Sequence, residues 1–536
     1  MASLVREKSP QTDPLPSRIA TLVHAYFDGL PKRSKPIIRD DGTAEWIPMT
    51  GIVLVKAENT PDESLSCITV TSGAKCLPAS QIPTCNGLVL HDCHAEILAM
   101  RAFNYWLLSE CHSAAAAESS LSQVEGNRKD TGISASPYIQ RRQKPNPESE
   151  ACMPPFELCP DVSIYMYCTC APCGDASMEL VMAAQDDPTP WTLPDPTASS
   201  QSESDSNPPA QTPSSSENTF LKGRGHFSQL GIVRRKPARA DAESTKSKSC
   251  SDKIALRQVT SLLNHQASLL VAITENAYIK GLVMPEEEIT RVGCERCFGK
   301  DGRMKDLGGK SWPIAADDDN EASRKDQEGN GRQDQYEFRP FEVLSIPNSQ
   351  LKALWPFRKP KTSDPVEETQ TKKSKPGTIS AVWVRAPTTE SKDLRGPPST
   401  IADNGSKNLP VLRGSKTGLF ESIIGGVKQG NKASAPGLRG ASALSRARMW
   451  EYLRKIAHGD SAHGQSPLET LTYRKFKEQQ SSNSTQARKQ AMQAAKEVLG
   501  GWLPNSGDED WGWNPDSLLV DSKGTPIGEA PKKRKR

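Results

Sequence analysis

With 68 lysines and arginines against 64 aspartates and glutamates, this chain of 536 residues has a net charge of only +4, too little to announce a nucleic-acid binder, so any such contact must come from local clusters. Hydrophobic residues make up 35% and prolines number 42, a balance that points to one sizeable core with long insertions rather than several compact domains. No apolar run reaches the roughly 18 residues of a membrane span and the first sixteen residues hold no apolar signal core, so the chain is expected inside the cell, with its 13 cysteines as free thiols or metal ligands.

In chain order, Ile19, Leu22, Val23, Tyr26, Phe27 and Leu30 recur at helical spacing, predicting an amphipathic helix over residues 16–30 for core packing alone. Two β-branched runs, residues 51–55 and 66–70, flank a polar stretch and predict an antiparallel hairpin. A loop, Ser72-Gly73-Ala74-Lys75-Cys76, follows. Residues 92–108 form the strongest predicted helix, with Asp92 as N-cap and His94, Ile97, Leu98, Arg101, Tyr105 and Leu108 along its inward stripe. An arginine within that stripe is unusual, because a buried guanidinium needs an anion.

After an Ala/Ser/Gln/Pro-rich insertion, residues 161–167 predict a buried strand that runs through Cys168-Thr169-Cys170-Ala171-Pro172-Cys173-Gly174-Asp175 into a helix over 176–184. A second insertion covers residues 186–222. Residues 223–239 differ in kind: Arg224, Arg234, Arg235, Lys236 and Arg239 interleave with glycine, Phe227 and Pro237, the pattern of a nucleic-acid contact or of a solvated basic loop. Further elements are predicted as a helix over 252–263 opened by Cys250, strands at 268–273 and 380–384, and two basic helices at 445–456 and 486–499, the last closed by Gly500-Gly501. The final run, Pro531-Lys532-Lys533-Arg534-Lys535-Arg536, has the composition of a nuclear-import signal or of a solvated tail.

The chemistry concentrates in three short contexts. His94-Ala95-Glu96 is the H-x-E pattern of zinc-dependent nucleobase deaminases, weak alone but strengthened by Pro172-Cys173-Gly174-Asp175 and Ser249-Cys250-Ser251-Asp252-Lys253. One imidazole and two thiolates leave one position of a tetrahedral zinc open for water. His94 and Glu96 are two apart and do not share a helix face, so both can address one ion only off the helix N-terminus. Many such deaminases carry P-C-x-x-C; here Gly174 and Asp175 follow Cys173, so the remaining thiolate is Cys250 or Cys170. Cys170 falls before the proline, and Cys250 is preferred. Cys294-Glu295-Arg296-Cys297 has no second pair and reads as two ordinary thiols. Asp175 reads as a helix cap rather than an acid catalyst.

These three motifs, in this order, resemble the adenosine deaminases acting on RNA, and within them the branch acting on transfer RNA, in a fungal form with long insertions. Only about sixteen residues precede the first helix, too few for a double-stranded-RNA-binding module, which agrees with that branch. The resemblance implies an α/β fold, cytidine-deaminase-like: a mixed central sheet flanked by helices, with a C-terminal helical extension. It implies one domain over residues 17–520, with disordered insertions near 112–155, 186–222, 300–335, 358–377 and 386–440, and a basic tail over 521–536. It also implies hydrolytic deamination of adenosine to inosine at position 37 of alanine tRNA, with Zn2+ on His94, Cys173 and Cys250 and with Glu96 shuttling the proton from water to N1. Inositol hexakisphosphate is implied as a structural cofactor on Arg101, Lys253, Arg446, Tyr473 and Lys477, joined by Arg488 or Lys489. Lys75 is expected near the target nucleotide, although Ala74 stands where the family has threonine, and Arg234, Arg235 and Lys236 are expected to contact RNA.

Overall fold

The computed structural model describes residues 13–40, 43–124, 136–142, 154–184, 229–236, 243–313, 334–359, 374–388, 412–415, 417–459, 472–478, 483–514, 518–521 and 523–527. Most of the insertions and the terminal basic run lie outside these residues.

The first helix, α1 (Leu15–Asp28), buries Ile19, Ala20, Val23 and Phe27, the stripe its periodicity predicts. The hairpin forms from β1 (Met49–Lys56) and β2 (Ser64–Ser72), pairing Gly51 with Val70 and Ile52 with Thr69 before the register shifts at Val53. Next come α2 (Ala95–Val124), β3 (Val162–Cys168), α3 (Met178–Ala183), α4 (Cys250–Thr260), β4 (Ile279–Pro285) and α5 (Arg291–Phe298). Then β5 (Glu342–Ile346) and α6 (Asn348–Leu354) lead to β6 (Ser380–Val384), β7 (Arg413–Gly414), β8 (Leu419–Ile424) and β9 (Val427–Lys428). The C-terminal helices are α7 (Arg446–Gly459), α8 (Tyr473–Glu478) and α9 (Asn483–Leu499).

One mixed sheet organises these elements, in the order β5-β4-β3-β1-β2-β6-β8-β7 with β9 on β8. Strand β4 runs parallel to both β5 and β3, and the remaining pairs are antiparallel. Covered on both faces, β1 is buried from Met49 to Val55, as a two-sided central strand must be. One face packs against α1 and the segment of Leu351 and Trp355. Gly51 allows that approach, since a Cβ there would lie 2.5 Å from a Val23 methyl. The other face carries α2, α4, α7 and α9 in the larger core, where Leu98, Phe103, Trp106, Ile254, Trp450 and Ala491 meet. Among the described residues no helix is long and apolar enough to cross a membrane.

Three expectations are corrected. Residues 268–273 do not form a strand: Ala267–Leu269 is a 3-10 turn and only Val271 bridges to Phe156, because this short apolar run packs as a connector into the core. Helix α2 continues through 112–124, so that insertion starts later than composition suggests. Strands β7, β8 and β9 lie inside the stretch 386–440 assigned to an insertion, the pairing of Trp383 with Phe420 extending the sheet there. The Gly500-Gly501 stop is present, both residues having positive φ and Gly500 N donating to Lys496 O.

Candidate active site

Three chain turns meet at the end of the sheet. Strand β3 delivers Cys173 past Pro172, α4 starts at Cys250 with Ser249 accepting a cap bond from Asp252 N, and His94 immediately precedes α2. Cys173 Sγ lies 3.8 Å and Cys250 Sγ 3.5 Å from His94 Nδ1, and the three donor atoms lie within 4.8 Å of one another. For a tetrahedral ion with bonds of about 2.3 Å to sulfur and about 2.0 Å to nitrogen, the sulfur–nitrogen edge is roughly 3.6 Å. The spacing therefore fits a metal. Cys170 lies outside this trio, and burial raises its thiol well above the ordinary range. Cys294 and Cys297 are buried free thiols.

Glu96 is only 4% exposed, and its Oε2 has no protein partner. Burial raises its pKa against the opposing charge of His94. A buried carboxyl with an open oxygen beside a metal-shaped donor set is suited to move protons.

Asp92 is not a helix cap, since α2 begins at Ala95; it is the hub beneath the ligands. Its carboxylate accepts from His94 N at 3.0 Å, Lys236 Nζ at 2.9 Å, Lys253 Nζ at 2.5 Å and Ser247 Oγ at 2.5 Å. Burial alone would raise the Asp92 pKa, but Lys236 and Lys253 hold it well below the usual carboxylate range. Lys236 also donates to Cys250 Sγ at 3.2 Å. Two of the expected RNA contacts, Arg234 and Lys236, are corrected accordingly. Lys236 is 5% and Arg234 1% exposed; the first holds Asp92 and Cys250, and the second donates its side chain to Gln229 O. Arg235 is half-buried and bridges Lys248 through its backbone. Lys75 is exposed on a loop whose carbonyl accepts from Cys93 N at 2.8 Å, one residue before His94.

The residues expected at the anion site converge only in part. Arg101 donates two bonds to Leu444 O, and Arg446 bonds Asp508 O at 2.9 Å. A cavity of about 260 Å³ is lined by Arg446, Tyr473, Arg474, Lys477, Glu478, Asn505 and Glu509, with Tyr473 stacked on Trp511 at 4.7 Å. Burial and then Arg446 push Arg101 down to about 10. Burial and then Arg488 push Arg257 down to about 9 and Lys477 to about 7. Lys477 keeps accessible surface because it lines the cavity, yet protein and cations surround it. Arg488 is 4% exposed with an unpartnered Nε, while Lys489 faces solvent. Lys253 lies on the Asp92 side. Sequence reading missed Lys248 and Lys496, whose only signal is that each sits at an inward position of a helix or its approach.

Gly174 joins the thiolate turns. Its φ of +109° suits glycine, and a Cβ would lie 2.2 Å from Ser249 Oγ. Gly174→Ala is expected to cost about 1–3 kcal/mol in backbone strain and to lower metal content, read by thermal melting and elemental analysis.

Comparison with known proteins agrees with this chemistry. Residues 69–307 match the adenosine-deaminase (editase) domain family. The chain is 29% identical over 492 residues to the tRNA-specific adenosine deaminase 1 of Schizosaccharomyces pombe, covering 92% of this chain and 95% of that protein. To the enzyme of the same name from Saccharomyces cerevisiae it is 30% identical over 291 residues, 54% of this chain and 63% of that one. The human protein of that name is 27% identical over 180 residues, 32% of this chain and 30% of its own. The donor trio and the buried carboxyl both lie inside residues 69–307, so the chain carries an adenosine-deaminase (editase) domain over that stretch and is a hydrolytic deaminase.

Proposed function

We propose that the chain deaminates adenosine to inosine in transfer RNA, at position 37, 3′ of the anticodon, of alanine tRNA, and that it does so with zinc. The observation that carries the reading is the meeting of His94 Nδ1, Cys173 Sγ and Cys250 Sγ at metal-ligand spacing beside the partnerless Glu96 Oε2; the relatives named tRNA-specific supply the substrate class. His94, Cys173 and Cys250 would hold the zinc, which would supply the Lewis acidity that brings a water toward deprotonation near neutral pH. Glu96 accepts the water's proton and returns it to N1 of the purine as oxygen adds at C6. A second transfer releases the 6-amino group as ammonia, so adenosine and water become inosine and ammonia. Lys236 and Asp92 hold the Cys250 and His94 ends of the donor set.

Incubating the zinc-loaded chain with unmodified alanine tRNA and with a long RNA duplex, then mapping inosine, tests the reading. Inosine confined to position 37 supports it; inosine in the duplex reassigns the substrate; none in either overturns the activity.

The cluster of Arg101, Arg257, Arg446, Lys477 and Arg488 is further proposed to hold inositol hexakisphosphate. Like charges that depress one another's pKa at close quarters gain most from a multiply charged anion. Without the anion, Lys477 and Lys248 near 7 bind protons less readily than in the unfolded chain, where lysine titrates near 10.5. Stability of stripped protein should therefore be lowest below pH 7 and rise with pH above it. Bound polyanion should flatten that rise, as melting curves across pH with and without inositol hexakisphosphate will show. The basic run at 531–536 lies outside the described residues and is proposed to direct nuclear import, which its removal from a fluorescent fusion would abolish.

A further inference from the structure

Each cysteine of the donor set is followed two residues later by an aspartate, and both aspartates are completely buried: Asp175 after Cys173 and Asp252 after Cys250, each 0% exposed. Neither belongs to the proton chemistry, and each is held by an arginine from one short stretch of chain. Arg296, on α5, donates Nε to both Asp175 oxygens at 3.2 and 3.1 Å and Nη2 to the Asp175 carbonyl at 2.8 Å, and its remaining reach goes to Glu179 at 2.5 Å. Arg303 donates Nη1 to Asp252 Oδ1 at 2.6 Å. The two arginines are themselves joined, Arg303 N donating to Arg296 O at 2.8 Å across a turn in which a Cβ on Gly302 would lie 2.4 Å from Glu295 O.

The same two carboxylates receive a second matched pair of bonds. Gly231 N donates to Asp175 Oδ1 at 2.8 Å and Arg234 N to Asp252 Oδ2 at 3.0 Å. Between the turns, Ser251 N donates to Cys173 O at 3.0 Å and Ser251 Oγ to Pro172 O at 3.0 Å. The serine joins the turns where they touch, while the arginines fix how each turn is rotated about that contact. Rotation sets where each Sγ points, and a metal centre responds to its donors' placement within a few tenths of an ångström.

We propose that Arg296 and Arg303 are positioning residues: one rigid brace, the Arg296–Arg303 stretch, that fixes the separation of the Cys173 and Cys250 sulfurs and thereby the affinity of the site for its metal. This rests on the zinc-site reading above. The brace explains why residues 296–303, outside every motif that carries chemistry, place two cationic side chains in a buried region.

The test measures zinc affinity by chelator competition in the full-length chain, together with the thiolate-to-cobalt charge-transfer bands of the cobalt-substituted protein. Arg296→Lys keeps the charge but cannot reach the Asp175 carboxylate, its carbonyl and Glu179 at once. The pair Asp252→Asn with Arg303→Met removes the second arm without leaving a buried charge unpaired. Glu179→Gln, at a partly exposed position, is the mild variant that loosens Arg296 if the others fail to fold. Zinc affinity is expected to fall by about 10- to 100-fold in the first two and less in the third, with shifted cobalt bands. Arg142→Met, which breaks a pair with Asp334 on other elements, should lower the melting temperature while leaving affinity and bands unchanged. Wild-type affinity and wild-type bands in whichever of the three variants fold would overturn the brace. If the unmutated chain binds no zinc, the zinc-site reading itself has failed, a separate outcome.

Discussion

Glu96→Gln is expected to lower inosine formation by about 10,000-fold, the upper end of what one general acid–base group contributes, while leaving the metal in place. The upper end applies because one carboxyl serves two transfers, from water to N1 and then to the departing amine. The amide keeps the volume and one acceptor oxygen, so it disturbs the packing around a residue only 4% exposed very little. The donor trio is untouched, since His94, Cys173 and Cys250 are held by one another and by Lys236. Single-turnover rates on tRNA with metal content by elemental analysis decide the matter. Retained activity would remove Glu96 from the mechanism, and loss of metal along with activity would make it structural.

Cys250→Ser is expected to empty the metal site and abolish activity, whereas Cys170→Ser should retain both. A serine hydroxyl is not the soft anionic donor that zinc takes from cysteine, and Cys250 sits 3.5 Å from His94 Nδ1. The exchange also replaces the sulfur facing Lys236 Nζ with a shorter, neutral hydroxyl in a pocket where that lysine is 5% exposed, so the variant should melt at a lower temperature. Cys170 lies on the near side of Pro172 and outside the trio; exchanging its sulfur for oxygen costs packing alone. Equal metal loss in both variants would mean that Cys170 serves as a ligand.

Much of the local structure was legible because short-range patterning dictated it. Helix α1 follows from a helical apolar stripe, β1 and β2 from β-branched runs around a polar link, and the end of α9 from paired glycines. The grouping of His94, Cys173 and Cys250 was legible for a chemical reason: a metal-binding donor set calls for those residue types, and their short contexts are distinctive. The preference for Cys250 over Cys170 was readable from the position of one proline.

The remainder depended on which residues the fold brings together over distances that carry no local signal. Lys236 looked like part of a basic, aromatic-interleaved RNA contact; burial beside Asp92 and Cys250 makes it a support of the donor set, because a lysine's role is set by the carboxylate it meets 144 positions away. Asp92 looked like a helix cap, and its five donors come from residues 76, 94, 236, 247 and 253. Strand β8 sat unnoticed in a stretch read as insertion, since its six residues carry no alternation and, but for the last, are buried only once β6 pairs beside them. By itself, then, the sequence determined the reaction class, the donor types that the fold brings together and the helices and hairpin of the core, all of which follow from residues close in the chain. Only the tertiary structure decided the order of the sheet, the burial of Asp175 and Asp252 against Arg296 and Arg303, and the gathering of cations at the C-terminal cavity, because pairing, desolvation and charge crowding are properties of contacts rather than of composition.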